Sequence, residues 1–160
     1  MFTNSILIPP AVMPEVAPTY HANIAHWRQA ADHDDNLAAV LPGKPSENGK
    51  PRLFTPLQAA MFALMADLVG ADFKTPLAAK IARRIMDAHL RQTEVEQFAV
   101  VHTANGNTSV LAYDQTELRT GYISGSRFTF ALVIDLKTYA DRVEEAVADA
   151  PRVIGVEDAG

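Results

Sequence analysis

The chain has 160 residues, 14 Lys+Arg against 19 Asp+Glu, a net charge of −5 and no cysteine. A chain of this length can bury about two thirds of its unfolded surface, so one domain, or two very small ones, can fold without a staple. The lack of cysteine excludes disulfides, thiolate zinc sites, iron–sulfur clusters and a cysteine nucleophile.

The charge is unevenly spread. Residues 1–43 hold one base and four acids, residues 44–92 eight bases and four acids, and residues 93–160 five bases and eleven acids. A basic island between acidic flanks points to a nucleic-acid face, although a merely solvated helix surface gives the same count. The longest apolar run, 59–66, is closed by Asp67, far short of the roughly 20 residues that span a bilayer. No Lys or Arg precedes the first apolar stretch, so a cytoplasmic protein without membrane contact is expected.

Pro9, Pro10, Pro14 and Pro18 disfavour a regular helix, and residues 1–18 read as an extended arm with at most a short strand or helical turn. Thr19 is positioned to cap a helix from Tyr20, with Tyr20, Ile24 and Trp27 at helical spacing, ending near Asp32-His33-Asp34-Asp35. Residues 37–41 are apolar and ambiguous. Residues 42–52, with three Pro, two Gly and an Asn-Gly pair, form a loop or a hairpin tip.

Two helices with the same opening follow. Thr55-Pro56 with Gln58 makes a capping box for a helix over 56–69, closed by Gly70, with Leu57, Met61, Leu64, Met65 and Leu68 as its buried stripe. Thr75-Pro76 opens a helix over 76–90 that buries Leu77, Ile81, Ile85 and Met86 and carries Lys80, Arg83, Arg84 and Arg91 outside. From residue 95 the period becomes alternating. Residues 95–102 and 108–113 flank Asn105-Gly106-Asn107, a hairpin signal, and 127–134 read as a third strand after a turn at 121–126. An amphipathic helix over 136–148, with Tyr139, Val143 and Val147 inward, closes at Pro151.

Ala25-His26-Trp27-Arg28, Leu41-Pro42-Gly43-Lys44, Lys50-Pro51-Arg52-Leu53-Phe54-Thr55 and the two Thr-Pro helices follow one another over about residues 25–90. This succession resembles the DNA-binding domain of MerR-like winged helix-turn-helix regulators. The family's first helix would fall on the proline-rich residues 1–18, where this chain departs from the pattern. The resemblance implies double-stranded DNA as partner and a homodimer on paired half-sites. Lys44, Lys50 and Arg52 in a wing would meet phosphates, as would Lys80, Arg83 and Arg84, and Arg28 would reach a phosphate or a base edge.

Other chemistry has weaker footing. His21 and His26, five apart, fall on different faces of a helix, and Asp32, His33 and Asp35 could ligate a metal only at what reads as a solvated helix end. Residues 121–125 have neither phosphate-loop nor nucleophile-elbow spacing and read as a turn; Asp114, Glu117 and Asp135 could pair as acid and base in any chain this acidic. The expected protein is therefore α+β: an arm (1–18), a winged-helix-like helical region (19–92), a small antiparallel sheet with a C-terminal helix (93–150) and a tail (151–160). Its expected function is transcriptional regulation by DNA binding, with no enzymatic activity, no cofactor and no metal, and with the acidic C-terminal module serving association. The alternatives are a protein–protein interaction module using the hairpin face and, behind it, a small hydrolase or metal enzyme.

Overall fold

A computed structural model of the chain describes residues 1–2, 6–43, 48–50, 52–115, 118–123 and 125–150. It is an α+β protein of N-terminal helices, a four-stranded antiparallel sheet and a C-terminal helix. The fold separates into two compact units. One holds residues 2–83 and the chain from Thr138 onward; the other holds Met1 and residues 84–137.

The helical unit begins with the proline-rich segment, which is core rather than a free arm. Ile8 exchanges backbone hydrogen bonds with Phe54 at 2.8 and 2.9 Å, and a single helical turn, α1 (Met13–Val16), follows. Pro14 falls in the first turn of α1, where a missing N–H costs no helical bond. Ile8, Met13 and Val16 are fully buried. Helix α2 (Tyr20–Ala30) starts after Thr19, whose side chain makes no cap to the backbone and instead accepts from Asn23 Nδ2 at 3.1 Å. The acidic cluster that ends α2 also starts the next helix, because Asp34 Oδ1 accepts from the Asn36 and Leu37 amides at 2.9 and 3.1 Å. This cap makes α3 (Asp35–Val40) of the ambiguous apolar segment.

Helix α4 (Pro56–Gly70) has the expected capping box: Thr55 Oγ1 accepts from the Gln58 amide at 3.1 Å and Gln58 Oε1 from the Thr55 amide at 3.0 Å. Its buried surface is wider than a stripe. Ala59 to Met65 are all buried while Leu57 is only half-buried, the pattern of a helix enclosed by neighbours, and α1 and α3 both contact it. The helix ends at Gly70 as expected, and past it Asp72 takes the left-handed conformation (φ 69°). Helix α5 (Thr75–Arg91) begins one residue before the Thr-Pro pattern implies, since the Ala78 amide donates to Lys74 O and places Thr75 inside the helix. Ile81 and Ile85 are buried, as are the small residues Ala78, Ala79 and Ala82, while Leu77 and Met86 are half-buried.

In the sheet unit the strands are β1 (Gln97–Thr103), β2 (Thr108–Ala112), β3 (Tyr122–Ile123) and β4 (Ser126–Asp135), in spatial order β2-β1-β4-β3. The β1–β2 hairpin turns at Asn105-Gly106, with Gly106 at φ +85°, and pairs Phe98 with Ala112 through His102 with Thr108. Central β1 is buried on both faces over Phe98–Val101. The segment 121–125 is more than a turn: between Gly121 (φ +73°) and Gly125 (φ +79°) the chain lays down β3 against Arg127 and Ser126 of β4. Helix α6 (Leu136–Asp149) buries Leu136, Ala140, Val143 and Ala146, leaving Tyr139 and Val147 half-buried. Pro151 and the tail lie outside the described residues. Among the described residues no helix is long and apolar enough to cross a membrane.

Candidate nucleic-acid interface

The helical unit positions α2 through four aromatic rings. Phe62 of α4 lies 4.7 Å from Trp27 and 5.2 Å from Tyr20, centroid to centroid, and Phe54 stands edge-on to Phe62 at 6.0 Å. Tyr20 and Trp27 are thereby the buried residues of α2, and His21, Ala22, Ala25, His26 and Gln29 are exposed. With α1 packed on α2 and only Ala17-Pro18-Thr19 between them, the chain forms helix, tight turn, helix. This upstream turn of helix is the piece that the prolines argued against; it forms because they sit at its start and in the flanking turns.

Helix α2 carries no carboxylate in a chain with 19. Its polar side chains are His21, Asn23, His26, Arg28 and Gln29, the amide, imidazole and guanidinium groups that bond base edges and phosphates. Burial raises the Tyr20 pKa, and the nearby Arg28 charge opposes that shift. Arg28 is half-buried. Its Nε and Nη2 have no hydrogen-bond partner among the described residues, and it lines a cavity of about 130 Å³ with Ala31, Asp32, Ala38, Leu41, Pro42 and Gly43.

The expected DNA-contacting residues fall into separate groups. Lys44 lies outside the described residues. Lys50 and Arg52 are exposed, and Arg52 Nε comes within 4.0 Å of the point where a Cβ on Gly43 would sit, so Arg28 and Arg52 both come near Gly43. Lys80 and Arg83 are half-buried on α5 within the helical unit. Arg84 belongs to the sheet unit, where its Nη1 donates to the Thr108 carbonyl of β2. His21 and His26 fail as a metal pair, yet both are exposed on α2. The usable signal was the helix free of acids, with neutral and basic polar groups on its open face.

Elsewhere, Glu94, Glu96 and Asp114 line an open groove of about 450 Å³ in the sheet unit together with Gln92 and Tyr113. Asp135 Oδ1 accepts from the Lys137 amide at 3.1 Å at the start of α6, and Glu117 lies outside the described residues. Among the described residues no three His, Asp or Glu side chains gather as a metal site. His102 stacks on Phe130 at 5.0 Å, and its Nδ1 is 3.3 Å from Thr108 Oγ1. His89 is buried, which lowers its pKa; the N-terminal ammonium acts the same way, and Glu94 and the Val95 backbone oppose it. Compared with models of known protein families and with curated proteins, the chain matches none.

Proposed function

We propose that the helical unit binds double-stranded DNA, in the manner of a MerR-like regulator, with α2 as the helix that enters the major groove. The observation that carries this reading is the α1–turn–α2 arrangement, whose second helix is anchored by Tyr20 and Trp27 and faces outward with His21, His26 and Gln29 and no acid. A carboxylate-free face spares the helix repulsion from phosphates on either side of the groove, and its amide and imidazole groups match donor and acceptor patterns on base edges. Lys50 and Arg52, on the exposed loop before Phe54, supply sequence-independent phosphate contacts.

Fluorescence anisotropy with labelled duplex at low salt tests the proposal. Affinity falls linearly with salt on logarithmic axes, by roughly 0.9 per phosphate contact, and changing both Lys50 and Arg52 to Ala flattens that slope by roughly two units. Gln29→Ala and His26→Ala change the preference among duplex sequences and leave the slope in place. Absence of binding at high micromolar protein refutes the proposal, as does a slope untouched by the loop substitutions.

A further inference from the structure

The hydrogen-bond phase of the sheet can be read from two bonds. Leu136 N donates to Glu96 O at 2.8 Å, in register with the β1–β4 ladder, so Phe130, Leu132 and Ile134 direct their backbone groups to β1. Ala131 and Val133 therefore direct theirs away. On that outer side β3 reaches only Ser126 and Arg127, with one further bond from Phe128 N to Gly121 O, and α6 begins at Leu136. Over 129–135 the outer edge of β4 has no backbone partner among the described residues.

The opposite edge of the sheet is capped at one position. Thr103 N donates to Asn107 O at 2.8 Å, which turns the backbone groups of Thr108, Val110 and Ala112 outward, and the Arg84 guanidinium covers the Thr108 carbonyl. Natural edges are blunted by charge, proline, a bulge or a covering group; on β4 the ladder to β1 is irregular only at its start, where Phe128 and Phe130 lie opposite Thr103 and His102 and Thr129 is the extra residue. The β4 strip 128–134, Phe-Thr-Phe-Ala-Leu-Val-Ile, has neither charge nor proline, and Phe130 and Val133 are 40% and 47% exposed.

We propose that two copies of the chain pair antiparallel along this edge, across a two-fold axis at Leu132. This supplies the partner for the dimeric arrangement expected of a regulator, and it stands whether or not α2 binds DNA. The slot sets the register. Blocked by β3 at one end and by α6 at the other, it admits seven residues, its own length, and so aligns 129–135 of one copy with 135–129 of the other. Ala131 then faces Val133 of the second copy twice, and four main-chain hydrogen bonds form between outward-pointing groups of matching phase. Arg127 and Asp135 are the only charged residues of β4, at its two ends and of opposite sign. An antiparallel copy brings the Asp135 end of one strand to the Arg127 end of the other, whereas a parallel strand sets like charge beside like. Phe130 lies across from Ile134 of the second copy, covering apolar surface that the single chain leaves open.

The chain has no cysteine, so a single introduced thiol reports a single position. Leu132 faces itself across the axis as a pair not hydrogen-bonded to each other, with Cα atoms about 4.5 Å apart, inside the range a disulfide spans. Full-length Leu132→Cys should oxidise to a covalent dimer of twice 17.4 kDa, while Val110→Cys on the opposite edge should remain a monomer under denaturing electrophoresis. In sedimentation velocity the unmodified chain should run as a dimer, and Val133→Lys as a monomer with unchanged far-UV circular dichroism. A monomeric unmodified chain at high micromolar concentration overturns the proposal. So does cross-linking of Val110→Cys at the same rate as Leu132→Cys, or a Val133→Lys variant that stays dimeric. Anisotropy with duplex DNA, run on the same variants, separates failure of pairing from failure of DNA binding.

Discussion

Truncation of Phe62 is the sharpest test of how the helical unit holds α2. The Phe62 ring is fully buried and meets Trp27 at 4.7 Å, Tyr20 at 5.2 Å and Phe54 at 6.0 Å. Phe54 in turn bridges to Ile8, so one ring joins α4 to α2 and to the proline-rich segment. A buried Phe→Ala change costs about 3–5 kcal/mol through lost transfer energy and the cavity left behind. Three aromatic pairs, each worth about 0.5–1.5 kcal/mol beyond area, place Phe62→Ala at the upper end of that range. Against a typical total of about 5–15 kcal/mol this is a third or more of the stability. With a urea m-value of about 2 kcal/mol/M, the unfolding midpoint should fall by roughly 2 M. Trp27 is the single tryptophan, so its fluorescence follows this cluster directly. Phe62→Leu, which keeps much of the volume but loses the rings, should lose distinctly less. A loss below about 1 kcal/mol for Phe62→Ala, or equal losses for the two variants, would refute the role given to the ring.

Three further outcomes follow from the described geometry. Thr55→Ala removes the oxygen that holds the Gln58 amide and should cost about 1 kcal/mol by urea denaturation, with Thr55→Ser recovering most of it. Gly106→Val meets no atom within 4 Å but must hold φ +85°, so strain alone should cost about 1–2 kcal/mol or more and speed amide exchange over 98–112. His89 has its pKa lowered chiefly by burial, so the unfolded chain takes up this proton first as pH falls. Its contribution is intact above the unfolded pKa of about 6.5 and is lost as pH drops through that value toward the folded one; His89→Gln should therefore show a smaller fall in urea midpoint between about pH 7.5 and 5.5.

The elements legible in the sequence are those whose signals are local. The Thr55–Gln58 box, the Asn105-Gly106 turn and the alternation around it depend on neighbours within a few residues, and the helices and strands form there. What was not legible depends on distant partners. Residues 8–17 read as an arm because prolines dominate local propensity; burial of Ile8, Met13 and Val16 against α4 and Phe54 overrides it. Leu57 looks as apolar as Met61, yet the rings of Tyr20, Trp27 and Phe54 gather around Phe62 and turn the buried side of α4 toward them. Strand β3 is two residues long and exists only because β4 is already there to receive it. For the candidate interface, the sequence could group Arg84 with the other cations but could not show that its guanidinium donates to the Thr108 carbonyl, because a guanidinium's partner is set by the fold and not by the sequence around it.

Arg84 lets that distinction be measured. Sequence places it with Lys80, Arg83 and Arg91 on the outer surface of one helix, and as an expected DNA contact it would carry one phosphate and roughly 0.9 of salt slope. In the fold the Arg84 guanidinium donates to the Thr108 carbonyl, an outward-facing group on the β2 edge. A hydrogen bond from a charged donor contributes about 1.5 kcal/mol after exchange with water, the low end of the range applying at a partly buried site. Arg84→Ala should therefore lower the stability of the sheet unit by about that amount and quicken amide exchange in β2, while the salt dependence of DNA binding stays that of the unmodified chain. Arg84→Lys should restore little, because an ammonium lacks the planar fork that reaches the carbonyl while staying solvated. Loss of the β2 cover also bares a second open edge, so Arg84→Ala should form higher oligomers at protein concentrations where the unmodified chain does not. A salt slope reduced by about one contact, with exchange in β2 unchanged, would return Arg84 to the DNA-facing group and leave the β2 edge as open as that of β4.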